Sequence, residues 1–407
     1  MSESKGAGMT CHRRGSSLPD DDDLLWEILL RLPPQPSSLP RASAVCKQWR
    51  LLVIDPRFLR SFYAHHRKPP LLGFFGHYHN VVFTPVLDAP DRIPPKRFNL
   101  GRYSCSHNHG ALGGTPHKNY VLGCRHGRVL IIDSASMEIV VCAPVTHEQR
   151  RVTIPPEFKK VLHYVNGAVL CAARDQSHVH GGCHSSPFKV VLVIMYSEDN
   201  HRPLACVYSS ETDTWGNLIS TSVPCVVIDA YRPGSLVGNA LYWLDTTTNG
   251  MLEFDLEDES LAMISGPSVA DHSSHSQIIQ GEDGALGFAI LSYPRFYMWN
   301  RNINDHGVAT WVMWKTVEMH NILRPPLQIE RGVRGAKTIL GYSEDTDVIF
   351  IYVNGSVYMV HLKSMQSKKL HETSYTTDYH PFTAFYSPGI TNVGGCDGAE
   401  VLHDALG

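Results

Sequence analysis

The chain has 407 residues, 43% of them hydrophobic, and 36 Lys and Arg stand against 39 Asp and Glu, for a formal charge of −3. This balance gives no reason to expect nucleic acid or an anionic membrane as the main partner. No apolar run reaches the roughly 18 residues of a membrane-spanning helix, and the N-terminus lacks the apolar core of a secretory signal. We therefore expect a cytoplasmic or nuclear protein, or one found in both, whose ten cysteines are reduced thiols.

After a polar, Gly/Ser-rich tail predicted to be disordered (1–17), the first structured segment is a helical module over residues 18–66. It opens with LPDDDDLLWEILLRLP, in which Asp20–Asp23 suit the positive end of a helix dipole. Apolar residues follow at helical spacing along one face as far as Leu32, and prolines end the helix. A second helix is predicted over Leu39–Leu52 and a third from Asp55, an N-cap followed by proline at the first helical position.

From residue 71 to about 390 the pattern changes to short runs rich in Val, Ile, Tyr, Phe and Trp, which predict β-strands. Asn-Gly pairs at Asn166-Gly167, Asn249-Gly250 and Asn354-Gly355 predict hairpin turns. Residues 391–407 are predicted to be a flexible tail. The fold class is thus α+β by segregation: a small three-helix module followed by a large all-β domain.

A degenerate repeat runs through the β-rich part of the sequence, in which an apolar strand leads through a polar turn to another strand. Aligning Cys142, Tyr208, Phe254, Trp299 and His361 gives intervals of 66, 46, 45 and 62 residues by subtraction. Periods near 40–50 residues are typical of β-propeller blades of four strands each. The longer intervals leave room for loop insertions, such as the polar stretch at 172–186. An irregular sandwich of β-hairpins is the alternative.

Three short helices cannot bury all of their apolar faces among themselves, so the helical module needs a partner, either the β-domain or another protein. Its residues resemble the F-box motif over about 45 positions. The matching elements are Leu18-Pro19, Ile28-Leu29 with Arg31-Leu32-Pro33, Val45-Cys46-Lys47 with Trp49-Arg50, and Asp55, Pro56 and Phe58. The loop between the first two helices is longer than usual and carries Pro40. The remainder is more loosely similar to the β-rich region behind the F-box in a large group of plant proteins.

The resemblance implies a substrate-recognition subunit of an SCF-type (Skp–cullin–F-box) ubiquitin ligase, which is an adaptor without catalytic activity. The F-box would bind a Skp-family adaptor and through it a cullin–RING scaffold, while the β-domain would bind an unknown protein substrate. Carried over by residue, the adaptor-binding set is Leu18, Pro19, Leu24, Leu25, Ile28, Leu29, Leu32, Pro33, Val45, Cys46 and Trp49. The alternatives are an interaction protein outside SCF complexes and a carbohydrate-binding or hydrolytic propeller, which would need paired carboxylates in its central funnel.

The sequence contains no array of Cys/His pairs like that of a RING domain and no catalytic motif that we could identify, so we predict no catalytic residue and no cofactor. Two clusters resemble metal ligands: Cys105–His109, and His178 and His180 with Cys183-His184. In a chain with 23 His we interpret both as exposed polar loops and predict no metal site. The loops His77–Asn80 and His178–His184 are instead candidates for target recognition.

Overall fold

The computed structural model describes residues 22–77, 81–101, 119–159, 162–173, 178–194, 202–221, 232–245, 250–268, 275–323, 337–374 and 377–386. The two predicted tails, the pair Leu18-Pro19 and the cluster Cys105–His109 lie outside these ranges. In the described part of the chain, no helix has the length and apolar character required to cross a membrane.

Within residues 22–66 the N-terminal module contains four helices: α1 (Asp22–Leu30), α2 (Ser38–Ser43), α3 (Lys47–Ile54) and α4 (Pro56–His66). The second predicted helix is divided in two because the backbone at Cys46 is fully extended, with φ −161° and ψ 173°. Asp55 caps α4 as expected, since its Oδ1 accepts a hydrogen bond of 2.8 Å from the Arg57 N–H.

These helices share a core of their own. Trp26 on α1 meets Phe58 on α4 edge to face, with ring centroids 5.1 Å apart. The buried members of this core are Leu25, Leu29, Leu39, Ala42, Val53, Phe58 and Phe62. The module therefore buries one face of its helices internally, while Leu24 and Ile28 on α1 lie outside this core and are exposed.

The strands form six antiparallel sheets, which are the blades of a β-propeller. Blade 1 contains β1 (Leu71–His77), β2 (Val81–Pro85) and β24 (Tyr379–Thr383); blade 2 contains β3 (Asn119–Arg125), β4 (Arg128–Asp133), β5 (Glu138–Ala143) and β6 (Glu148–Thr153). Blade 3 contains β7 (Val165–Cys171), β8 (Phe188–Ile194), β9 (Leu204–Ser209), β10 (Thr214–Trp215) and β11 (Ile219–Ser220). Blade 4 contains β12 (Ser235–Val237), β13 (Ala240–Leu244), β14 (Met251–Asp255) and β15 (Ser260–Ile264). Blade 5 contains β16 (Ser276–Gln280), β17 (Leu286–Ser292), β18 (Arg295–Ile303) and β19 (Ala309–Glu318); blade 6 contains β20 (Lys337–Ser343), β21 (Val348–Val353), β22 (Ser356–His361) and β23 (Ser367–Glu372). Two short helices, α5 (Pro156–Lys159) and α6 (Met319–Ile322), lie in connections.

The ring closes by pairing the two ends of the propeller sequence in one blade. β24 pairs with β1 in antiparallel register, with Phe74 opposite Pro381 and Phe75 opposite His380. β24 is also the strand of blade 1 that packs beside β20 and β3, so the last strand supplies the inner position. The propeller prediction is confirmed, and the blade count is six.

Apolar clusters lie between successive blades all around the ring. Among the described residues there are six such clusters, each drawing on two adjacent blades. Both faces of a sheet are therefore buried, which explains why strands such as β4 and β21 are buried along their whole length.

The predicted repeat corresponds to the blades. Cys142, Tyr208, Phe254, Trp299 and His361 lie on β5, β9, β14, β18 and β22, which are the third strands of five successive blades. The polar stretch 172–186 is an insertion between β7 and β8, as expected. The hairpin at Asn354-Gly355 is also confirmed, with φ of 48° and 81°.

The turn predicted at Asn166-Gly167 is wrong, because both residues lie inside β7 and are buried. The Asn166 side chain is held in a buried network: its Nδ2 donates to the Arg232 carbonyl at 2.8 Å, and its Oδ1 accepts from Trp243 Nε1 at 3.2 Å. This tertiary contact between blades gives asparagine a role that local turn preference does not predict. Of the third pair, Asn249 lies outside the described residues.

Candidate functional site

The helical module presents an apolar surface that its own core leaves uncovered. Leu24 and Ile28 on α1 are 51% and 40% exposed, and Val45, in the turn between α2 and α3, is 51% exposed. The Gln48 Nε2 donates to Asp22 Oδ1 at 2.7 Å, which holds the start of α3 beside the start of α1. Leu24, Ile28 and Val45 are hereafter called the exposed apolar face.

The structure divides the predicted adaptor-binding residues by burial. Leu25 and Leu29, one position after Leu24 and Ile28, point into the module core and are fully buried. Of the others, Leu32, Cys46 and Trp49 are half-buried, Pro33 is exposed, and Leu18 and Pro19 lie outside the described residues. This alternation follows from helical geometry, which turns neighbouring positions toward different sides of α1.

The module is joined to the propeller through α4. Tyr63 stacks on Phe385, which follows β24, and the Phe385 N–H donates to the Gly181 carbonyl at 3.0 Å. A Cβ added at Gly182 would lie 2.9 Å from two ring carbons of Tyr63, so the β7–β8 connection approaches α4 more closely than a larger residue allows. The His178–His184 loop, a sequence candidate for target recognition, thus lies at the junction between the two domains.

The end of β7 and the same connection bring together a cluster of four residues, two Cys and two His, of types that can bind a metal. Ligand atoms of Cys171, His178, His180 and Cys183 all lie within 4.8 Å of one another. Hydrogen bonding with Cys183 lowers the pKa of the Cys171 thiol. The sequence interpretation of this segment as an exposed polar loop needs correction, because His180 is the only exposed residue among the four donors and Cys183 is buried.

A small cavity lies among the inner strands, where the hydrolytic alternative would require paired carboxylates. Glu344 and Asp345 both line it, and its volume is about 20 Å³. A space of this size holds about one water molecule, too little for a sugar. Glu344 forms an ion pair with Arg125 and accepts the Leu236 N–H at 2.7 Å, so its carboxylate joins blades 2, 4 and 6.

The comparisons with known proteins agree with this architecture, a helical module followed by a β-propeller. A model of the F-box domain matches residues 16–61, and a model described as F-box protein AT5G49610-like, beta-propeller, matches residues 120–389. The second match covers more than half of the chain. The chain therefore belongs to this family of F-box proteins.

Two curated relatives come from Arabidopsis thaliana. One carries the name F-box/kelch-repeat protein and is 28% identical over 245 residues, which is 58% of this chain and 54% of that protein. The other carries the name F-box protein and is 23% identical over 248 residues, which is 57% of this chain and 55% of that protein. The aligned part thus spans about half the length of each relative.

Similar solved structures are more distant. A streptogramin B lyase structure is 12% identical, with a TM-score of 0.33, over 75% of this chain and 85% of that one. A protein of unknown function from Desulfotomaculum acetoxidans is 11% identical, with a TM-score of 0.36, over 75% of this chain and 83% of that one. At these scores the likenesses carry no argument about function.

Proposed function

We propose that this protein is the substrate-recognition subunit of an SCF-type ubiquitin ligase. Its F-box binds a Skp-family adaptor, which connects it to a cullin–RING scaffold, and its propeller binds a target protein in the cytoplasm or nucleus. The role is non-catalytic: the chain positions a target for ubiquitin transfer carried out elsewhere in the complex. The observation that carries the proposal is the exposed apolar face on the F-box module.

The exposed apolar face has the character of a helix-docking surface. Leu24 and Ile28 stand four residues apart on α1, the spacing at which apolar anchors of one helix enter a partner's groove. Fully burying a leucine or isoleucine contributes roughly 1.5–3 kcal/mol. Two such anchors together with Val45 can therefore supply a substantial part of a stable association.

Burial in the free chain refines the proposed contact set. Leu24, Ile28, Val45 and Pro33 are accessible for direct contact with the adaptor, and the half-buried Leu32, Cys46 and Trp49 would form the edge of the surface. Leu25 and Leu29 would support it from beneath by fixing the position of α1. Leu18 and Pro19 remain in the proposed set on the strength of the F-box motif.

The proposal is tested by pull-down of a purified Skp-family adaptor with the full chain carrying Leu24→Asp and Ile28→Asp. Two carboxylates on an otherwise apolar contact would be desolvated without a partner, so adaptor binding should be lost while the fold is retained. The matched control is Ile303→Asp with Val308→Asp, which introduces the same charge at exposed apolar positions of blade 5. Full adaptor binding by the α1 variant would refute the proposed surface.

A second measurement separates an SCF subunit from an interaction protein that works outside SCF complexes. The wild-type chain, expressed in plant cells, should co-purify a cullin, and the Leu24→Asp, Ile28→Asp variant should not. Recovery of the adaptor without any cullin would favour the interaction protein.

A further inference from the structure

The donor cluster in the β7–β8 connection combines one strand residue and three loop residues. Cys171 is the last residue of β7, and His178, His180 and Cys183 follow in the connection with the spacing Cys-x6-His-x-His-x2-Cys. The Cys171 Sγ lies 3.2 Å from His178 Nε2. The two cysteines are free thiols, so the cluster is not held together by a disulfide.

Contacts with the β3–β4 turn fix this cluster from one side. The Cys171 N–H donates to His126 Nδ1 at 3.0 Å, and the His180 ring stacks on the His126 ring with centroids 3.7 Å apart. The Cys183 Sγ lies 3.4 Å from the His126 carbonyl oxygen. Cys171, His180 and Cys183 therefore all contact His126, and these contacts restrict the positions of the three donors relative to one another.

Arg128 holds the other end of the connection. Its Nη2 donates to the carbonyls of Cys183 and His184 at 2.6 and 3.1 Å, and its Nη1 lies 4.0 Å from the Cys183 Sγ. The guanidinium thus shapes the loop and places a positive charge beside the sulfur.

Two sulfurs and two imidazoles are a donor set that selects zinc. Structural zinc sites are tetrahedral, with Zn–S near 2.3 Å and Zn–N near 2.0–2.1 Å, so neighbouring ligand atoms stand roughly 3.3–3.8 Å apart. The donor atoms here all lie within 4.8 Å of one another, so no pair is more than about 1.5 Å farther apart than in that arrangement. Two thiolates balance the 2+ charge of the ion, so the filled site is neutral apart from Arg128.

We propose that Cys171, His178, His180 and Cys183 bind one structural zinc ion. All four positions of the tetrahedron are filled by protein ligands, so the ion has no open position for catalysis. This reverses the sequence interpretation of the segment as a metal-free loop. The site is recognised in the folded chain, where His178 lies beside Cys171 at the end of β7 and all four donors come together.

The location of the site gives the ion a second effect. The loop between His180 and Cys183 consists of Gly181 and Gly182, which are the residues that contact the F-box side. A Cβ added at Gly181 would lie 2.6 Å from the Cβ of Pro69, and one at Gly182 would meet the Tyr63 ring. By fixing this loop, zinc fixes the surface on which α4 rests and hence the orientation of the F-box on the propeller.

The first test is the metal content of the full chain, expressed in zinc-replete medium and purified under reducing conditions. The metal is measured by inductively coupled plasma mass spectrometry. We expect one zinc ion per chain. Cys171→Ser with Cys183→Ser should abolish it, whereas Cys206→Ser should not, because Cys206 is a buried free thiol on β9 whose bond to the Gly216 carbonyl a serine hydroxyl can keep. Wild-type protein without stoichiometric zinc would overturn the proposal.

Because the cysteine variants can misfold, a second pair replaces the less buried ligands. His178→Ala with His180→Ala should lose zinc while its circular dichroism stays native, and His306→Ala with His320→Ala, both exposed, is the control. Cobalt(II) added to the chelator-stripped wild-type chain should give the intense absorption of a tetrahedral thiolate site at one equivalent. Zinc retained by the histidine variant, a featureless cobalt spectrum, or a Cys171–Cys183 disulfide under reducing conditions would each refute the site.

A third readout addresses the effect on domain orientation. Removing zinc should increase hydrogen exchange at residues 178–187 and at the C-terminal end of α4, while exchange in blades 4 and 5 stays unchanged. Unchanged exchange at α4 after complete zinc removal would show that the ion does not control the junction.

Discussion

Tyr63 of α4 and Phe385 after β24 stack with ring centroids 4.4 Å apart and an angle of 18° between the planes. One residue belongs to the F-box and the other follows the strand that closes the propeller. The stack therefore ties the first domain to the last strand of the second. The Ser37 N–H donates a hydrogen bond of 2.9 Å to the Asp91 side-chain Oδ1, which adds a second link between the F-box and the propeller chain.

Replacing Tyr63 by alanine should loosen this junction without unfolding either domain. The ring lies against Phe385 and the Gly182 backbone, and losing it should cost about 0.5–3 kcal/mol, the range of most destabilising point substitutions. We expect faster proteolysis between residues 66 and 71 and an intact propeller fragment. Tyr164→Ala, which removes a 39% exposed tyrosine beside β7, is the control and should leave proteolysis unchanged.

Aspartate at neighbouring positions of α1 should have opposite consequences. Leu29→Asp places a carboxylate in the sealed core of the module and should unfold it, since an unpaired buried charge is strongly destabilising. Leu24→Asp lies on the exposed face and should leave the module folded. Hydrogen exchange over residues 22–66 distinguishes the two variants, and equal protection in both would contradict the observed burial.

This difference matters for experiments on adaptor binding. A variant such as Leu29→Asp with Leu32→Asp would lose the adaptor through unfolding of the module. Its result could not identify a contact residue, whereas Leu24→Asp with Ile28→Asp can. Adaptor-binding measurements on α1 variants should therefore be accompanied by a measure of module folding.

Asn166→Leu should destabilise the propeller more than its volume change alone predicts. The substitution removes the acceptor of the Trp243 indole N–H and the donor to the Arg232 carbonyl, both in the propeller interior. Each buried group that loses its partner costs about 1–3 kcal/mol. Urea unfolding followed by far-ultraviolet circular dichroism measures the loss. Asn302→Leu, at an exposed position of β18, is the control, and similar midpoints for the two variants would contradict the assigned role.

The Asp345 carboxyl, which lines the central cavity, should make the stability of the propeller depend on pH. Loss of hydration raises the pKa of the Asp345 carboxyl, and the neighbouring Glu344 charge adds to this effect. The folded chain therefore holds this proton more tightly than the unfolded chain. The associated stability is present below the ordinary pKa of 3.8 and is lost as pH rises through the folded value.

Asp345→Asn removes this titration while keeping an acceptor for the Thr383 hydroxyl. The difference in free energy of unfolding between Asp345→Asn and wild type should therefore shift in favour of the variant as pH increases from about 4 to 7. Asp258→Asn, in the exposed turn after β14, should follow the wild-type curve. Parallel curves for Asp345→Asn and wild type would show that the carboxyl keeps its ordinary pKa in the folded chain.

Local pattern predicted the elements whose identity depends on neighbouring residues. The apolar spacing on α1, the cap at Asp55 and the Asn354-Gly355 hairpin were all correct, because each is decided within a few residues of sequence. The alignment of Cys142, Tyr208, Phe254, Trp299 and His361 as equivalent positions of a repeat was also correct. Third strands occupy equivalent places between blades, so the same kinds of residue recur there.

Features that depend on contacts between distant segments were missed. Asn166-Gly167 looked like a turn because the partners of Asn166, Trp243 and Arg232, belong to other parts of the ring. The second helix of the module was predicted to run unbroken, but the extended backbone at Cys46 divides it.

By itself the sequence determined the F-box, the β-rich character of the rest and its division into blades. Buried positions recur at regular intervals in these elements, and apolar residues therefore recur at the same intervals in the sequence. Only the tertiary structure decided which α1 residues face solvent, where the F-box rests, and that Cys171 joins His178, His180 and Cys183. Those facts depend on how far-apart segments meet in space. The spacing of residues along the chain does not show which distant segments are in contact in the folded protein.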